Sequence, residues 1–226
     1  MNKEIIVPGN EKLFSARQTI ESEKRPSAGI AMVIIGIDPN KNGENINSPV
    51  LWTNIEKKPK LETDRLAGQI SFPSDTRKIG EDKLSNMLGT LPEFSGNDGL
   101  IRSLSFTSSS YINEAIKIKE NHYDLMIVFL NGFLATPIIP LDGNEVSANG
   151  WMRLEELRKL QKENPSMLRS FVEQIIGGEL IGKAVDDYFR FPKERIPFST
   201  ILPRNFSIAN FYKVREKLPD VIGRSQ

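Results

Sequence analysis

The side chains whose types and spacing can do chemistry crowd into one stretch, 72–98. It carries the carboxylates Asp75, Glu81, Asp82, Glu93 and Asp98 beside the cations Arg77 and Lys78, with Phe72 at its start. Carboxylates are hard oxygen ligands of the kind magnesium takes. Arg77 and Lys78 stand near a predicted helix start, where cations and backbone N–H groups can meet phosphate oxygens, although an exposed basic loop accounts for the same pair. Phe72 and Trp151 offer flat faces on which a base can stack, yet Trp151 shares helical spacing with Leu154, Leu157 and Leu160, a stripe that reads as core. Other chemistries lack their parts. His122 is the only histidine and no cysteine occurs, so imidazole–thiolate metal clusters, disulfides and a cysteine nucleophile are excluded. Hydroxyls gather at 105–110 without the Gly-x-Ser-x-Gly turn that presents a nucleophilic serine.

The elements around that stretch must position it. The run 28–37 is β-branched, continuously apolar and bounded by Pro26 and Pro39, which predicts a central buried strand. A loop at 38–48, a short strand at 49–53 and a lysine-rich connection at 55–62 are expected next. Residues 82–88 place Leu84, Met87 and Leu88 at the spacing of a short helix with an acidic start. Gly89 weakens that helix, and Pro92 should end or kink it, because an interior proline costs about 3 kcal/mol. The stretch 100–110 alternates, 112–120 reads as a helix of Glu, Ala, Ile and Lys, and 123–130 reads as a strong strand. A further helix is expected at 151–160. From Pro165 onward Met167, Leu168, Phe171, Val172, Ile175 and Ile176 share a helical face that stops at Gly177 and Gly178, and shorter segments follow at 181–189 and 208–218. Arg204, Lys213, Arg215, Lys217 and Arg224 make the end of the chain basic, but Phe206, Phe211 and Tyr212 between them favour an amphipathic helix packed on the core over a nucleic-acid surface.

Composition narrows the classes. In 226 residues, 30 Lys and Arg oppose 29 Asp and Glu, a net charge of +1 that gives no global field for nucleic acid or an acidic membrane. The first residues lack the apolar core of a signal peptide, and the longest apolar run is too short to span a bilayer. The expectation is a soluble, cytoplasmic protein, with a polar leader at 1–24, one domain at 25–162 and a helical extension at 163–226.

Three stretches in order resemble the Nudix hydrolase superfamily. The Nudix signature runs Gly, five residues, Glu, seven residues, then Arg-Glu-aliphatic-any-Glu-Glu-any-Gly-aliphatic. With Glu81 on the first Glu, Asp75 takes the place of the opening Gly, and the tail falls on Gly89, Thr90, Leu91, Pro92, Glu93, Phe94, Ser95, Gly96 and Asn97. The spacing is kept without a gap, but Glu93 alone remains of the catalytic Arg-Glu and Glu-Glu pairs. The strand at 28–37 and the stretch 124–160, with its Glu145-Val146 pair and its Leu-Glu-Glu-Leu helix, resemble the family's opening and closing patterns. The phrase from Ala67 to Pro73 is similar to members that cleave coenzyme A, with Ser74 and Asp75 where Gly-Gly normally follows.

The resemblance implies an α/β/α sandwich with a mixed sheet, and hydrolysis of a nucleoside diphosphate linked to another group with the help of magnesium. It also implies that the metal-ligand positions here carry Thr90, Glu93 and Phe94. A neutral Thr anchors a cation weakly and Phe cannot ligate one. The expectation is therefore a degenerate box: a pseudoenzyme that binds a nucleotide-type ligand such as an ADP-ribose derivative, or a protein partner, in a regulatory role, with a homodimer possible through the C-terminal helices. The alternative is an active magnesium-dependent hydrolase in which Glu93 and Glu81 act as catalytic and metal-binding residues with a loop carboxylate from Asp82, Asp98 or Glu145. In either case Arg77, Lys78 and Phe72 are the candidate ligand contacts.

Overall fold

The computed structural model describes residues 27–60, 63–132 and 138–221; the polar leader at 1–24 and Arg224 lie outside them. At the centre is strand β1 (Gly29–Ile37), buried along its whole length. A short helix α1 (Asn42–Asn47) leads to β2 (Val50–Glu56), antiparallel to β1. Two brief strands follow, β3 (Ile70–Ser71) on β2 and β4 (Ser74–Thr76) on β1. Next come α2 (Lys83–Gly89), α3 (Leu91–Phe94), α4 (Asp98–Arg102), β5 (Leu104–Phe106), β6 (Tyr111–Ile118) and β7 (Asn121–Asn131). β7 runs parallel to β1 from the pair Gly29↔Tyr123 to the pair Ile37↔Asn131. The chain then forms β8 (Val146–Arg153) on β2, α5 (Leu154–Glu163), α6 (Ser170–Gly177), α7 (Leu180–Arg190), β9 (Ile196–Pro197) on β5, α8 (Phe198–Ile201) and α9 (Ile208–Arg215).

Side-chain alternation along the strands decides the layers. Val33 and Ile35 of β1 pack with Leu157, Phe171, Val172 and Tyr188 on one face. Met32 and Ile34 pack with Met87, Leu91, Phe94, Phe198 and Ile208 on the other. Helices thus cover both faces of a mixed sheet, the α/β/α sandwich that the resemblance implies. A parallel pair buried on both faces needs apolar side chains at every position, which is why 28–37 and 123–130 read as continuous runs. Residues after 163 contribute to both faces, Phe171 and Tyr188 to one and Phe198 and Ile208 to the other. Among the described residues no helix is long and apolar enough to cross a membrane.

The helix α1 occupies much of the expected loop at 38–48, and three further elements differ from the sequence reading. The stretch 112–120, expected as a helix, is strand β6, hairpin-paired to β7 with a register irregularity between Ile112 and Ile116 and a positive φ of 47° at Glu114. That bulge mimics helical spacing between Ile112 and Ile116, and pairing with the strongest strand of the sheet overrides local helix preference. The helix expected at 151–160 begins only at Leu154, because Trp151 sits on β8 directly opposite Trp52 of β2, ring centroids 5.1 Å apart. Leu154 and Leu157 keep the predicted stripe on one face, while Trp151 joins the opposite one. Finally, β2 continues through Glu56, so the expected lysine-rich connection begins later and leaves a buried carboxylate at a strand end.

Candidate functional site

The helix that follows the box loop starts and stops as its residues dictate. Asp82 caps α2, its side chain accepting from the Ser85 N–H at 2.6 Å. The helix ends at Gly89, and Thr90 turns its hydroxyl back to the Met87 carbonyl at 2.8 Å. Pro92 then occupies the first turn of α3, where its missing N–H is harmless. This break sets the fate of the box positions. Thr90 and Phe94 are fully buried, Phe94 edge-on to Trp52 at 5.4 Å. Glu93 turns toward β4 and β2, one carboxylate oxygen accepting from the Ser74 N–H at 3.0 Å and the Asn54 amide at 3.4 Å.

Glu81 and Asp75 are held by a residue from the far end of the chain. Arg215, at the end of α9 and 4 % exposed, donates to both oxygens of Glu81 at 2.5 and 2.7 Å, to Asp75, and to the Thr76 carbonyl at 3.1 Å. The guanidinium lies against Gly89, where an added Cβ would come within 2.4 Å of Arg215 Cζ. Gly89 therefore does more than weaken the helix: it makes room for the arginine. Burial pushes the Asp75 carboxyl up to about 7, against the pull of Arg215 and Lys78.

A second charged cluster lies beside the first. Glu56 accepts from Arg169 Nη1 at 2.9 Å and faces Arg65 at 3.5 Å, while Arg65 also donates to Glu145 at 2.5 Å. Arg169 reaches the Ser74 hydroxyl at 3.1 Å and the Thr63 carbonyl at 3.0 Å as well. Burial, then the negative charges of Glu56 and Glu145, holds the Glu93 carboxyl well above its ordinary range. Burial also lowers the Arg169 pKa, while the Arg65 guanidinium opposes burial and keeps Glu145 below the usual carboxylate range. Both clusters line one cleft of about 220 Å³, together with Lys60, Lys78, Tyr123 and Asp220.

The candidate residues divide sharply. Glu93, Lys78 and Glu145 line the cleft, and Glu81 stands beside it under Arg215. Lys78 binds Asp220 at 2.5 Å. Arg77 is directed elsewhere, 5 % exposed and turned to the Ser27 hydroxyl at 3.3 Å and to Asp124 at 3.8 Å. Phe72 is fully buried in the core, so its ring has no open face for a base. Asp82 is committed to its helix cap, and Asp98 accepts from the Ile208 N–H at 2.7 Å, anchoring the start of α9. Sequence reasoning missed Glu56, Arg65, Arg169 and the role of Arg215. For Arg215 a signal was present: Ile208, Phe211 and Arg215 fall on one face of a single helix.

A magnesium ion is what the resemblance implies, and these residues do not fit one as they stand. Phe94 and Thr90 are core, burial disfavours the charged form of Glu93, and Glu81 and Asp75 are committed to a guanidinium. Among the described residues no group of three or more His, Cys, Asp or Glu is arranged to hold a metal ion.

No protein-family model and no curated protein matches the chain. Among solved structures it is similar to the NUDIX domain of Shewanella oneidensis NrtR in complex with ADP ribose, at 9% identity and TM-score 0.44, covering 75% of this chain and 96% of that one. It is similar to a C. elegans Ap4A hydrolase at 14% identity and TM-score 0.41, covering 66% of this chain and 98% of the other. A Nudix hydrolase from M. smegmatis, RenU, is similar at 11% identity and TM-score 0.43, with 80% and 91% covered.

Proposed function

We propose that this chain is a Nudix-type protein that binds a nucleotide-type ligand, such as an ADP-ribose derivative, in the cleft without metal-dependent hydrolysis, and that binding serves a regulatory role. One observation carries the reading. The box keeps its spacing, yet its two loop carboxylates are bound to Arg215 beside a cleft in which two other arginines are only partly used. Arg65 and Arg169 both line that cleft, and the Nε of each is buried with no hydrogen-bond partner among the described residues. An unmade hydrogen bond at a buried donor costs about 1–3 kcal/mol, and a side-chain shift that turns either guanidinium toward a ligand oxygen in the cleft would recover it. Acids and bases are nearly balanced along the walls, which suits a ligand that brings hydroxyls and ring nitrogens as well as phosphate oxygens.

The test is thermal stability of the purified protein against ADP-ribose, NAD, coenzyme A and dinucleoside polyphosphates, with and without magnesium, while product is assayed in the same wells. The expected result is stabilisation by one of them, worth about 2.7 kcal/mol at a hundred times its Kd, unaffected by magnesium and without product. Product that requires magnesium overturns the reading. The active alternative draws on a single feature, the Glu93 carboxyl raised by burial as the carboxyl of a general acid is. It predicts that Glu93→Gln abolishes turnover without lowering the melting temperature.

A further inference from the structure

We propose that the segment 212–221, which follows the anchored start of α9, is a latch over the cleft and that Arg215 is its catch, a resident cation whose place in the box loop excludes a divalent ion. The oxygens around the guanidinium are of the type a hard cation takes: the Asp75 carboxylate, both Glu81 oxygens at 2.5 and 2.7 Å, and the Thr76 carbonyl at 3.1 Å. Acceptors converging on one buried point require a positive charge, and here the chain supplies it from its own C-terminal helix. Gly89 completes the seat, since any Cβ there would displace the guanidinium.

The remaining ties of the latch are slighter. The Ile79 N–H donates to the Pro219 carbonyl and the Val221 N–H to the Arg77 carbonyl, each at 2.9 Å, so 219–221 lies along the box loop as an added edge. Lys78 pairs with Asp220, whose side chain is 30 % exposed, and the Tyr212 hydroxyl donates to Asp142 across the cleft at 2.7 Å. An ion pair with one partner 30 % exposed contributes less than one buried on both sides. Closure therefore turns on Arg215, the tie with a buried charge on both sides. Linkage makes the relation reciprocal: a cation in the oxygen cage opposes the latch, and the closed latch lowers cation affinity by the same factor. The inference depends on the proposed function only for what the cleft admits, and its test uses no nucleotide.

The measurement is Mn2+ titration of the full chain by electron paramagnetic resonance, with amide hydrogen exchange at Ile79 and Val221. The wild type is expected to take up no Mn2+ saturably. Arg215→Ala is expected to bind a single Mn2+ per chain at an affinity at least about tenfold higher, with faster exchange at both amides. Glu81→Gln in that background should abolish the binding, and Arg215→Lys, which keeps the charge, should exclude Mn2+ as the wild type does. A folded Arg215→Ala chain that gains no Mn2+ affinity overturns the proposal, as does a wild type that binds equally well. Should Arg215→Ala not fold, Arg215→Gln decides by the same readout, since it keeps a side-chain amide for the Glu81 oxygens and removes the charge. Failure of the nucleotide reading would instead appear as a panel without any shift, leaving the Mn2+ result standing.

Discussion

On one side of the cleft a single guanidinium serves two carboxylates; on the other, two guanidiniums converge on one. Arg215 makes four hydrogen bonds, to Asp75, Thr76 and both oxygens of Glu81, so each of its three nitrogens has a partner. Arg65 and Arg169 share Glu56, each with Nε unpartnered among the described residues, next to a Glu93 held toward its neutral form. Buried polar groups that are fully met fix a structure, and those partly met in the wall of a cleft leave hydrogen-bonding capacity in reserve. The comparison separates a clasp that joins α9 to the box loop from a surface that keeps unpartnered donors.

The largest effect expected is from breaking the clasp. Arg215 and Glu81 side chains are 5% and 3% exposed, so Arg215→Ala leaves buried carboxylates without a counter-charge. The loss should be about 3–5 kcal/mol in urea unfolding, the range for removing one partner of a buried pair. Arg65→Met should cost less, about 1–3 kcal/mol, because Glu56 retains Arg169 at 2.9 Å and Glu145 is already 36% exposed. If the two substitutions destabilise equally, the clusters are equivalent and the division between them fails. Arg65→Met should also weaken ligand binding in the thermal panel, which Arg215 substitutions need not do.

The sequence carried the sheet's centre well and the charges poorly, for reasons of range. β1 and β7 announce themselves because each is apolar at every position, and the end of α2 at Gly89 and the turn at Pro92 are local consequences of those two residues. β6 was legible only through its partner, since its bulge gives the isoleucines helical spacing. The box residues could be aligned, but not what Arg215 does to them. Its partners lie 134 and 140 positions away, and a charge that far along the chain reads as one more basic residue in a tail. Glu56 was obscured for a similar reason: beside lysines it reads as solvent-exposed, and only the strand end and Arg169 place it inside.

The smallest effect, and the one that most sharpens the contrast, belongs to Glu93. Its carboxyl is held above its ordinary 4.5 by burial and then by Glu56 and Glu145, so the folded chain binds that proton more tightly than the unfolded chain does. The contribution of such a group is full below pH 4.5 and declines as pH rises toward the folded-state value. Asp75 acts in the same direction over a defined window, from 3.8 to about 7, and continues to do so in a Glu93 variant. Glu93→Gln retains a carbonyl oxygen for the Ser74 N–H and removes one of the two slopes. Stability should match the wild type within about 1 kcal/mol at pH 4, and the variant should gain on the wild type as pH rises above 4.5 in urea titrations. A variant that instead loses ground as pH rises would mean that Glu93 is ionised in the fold and its charge is stabilised there. Arg65 and Arg169 would then already face a further buried anion, and less positive charge would be left for a ligand's phosphate oxygens.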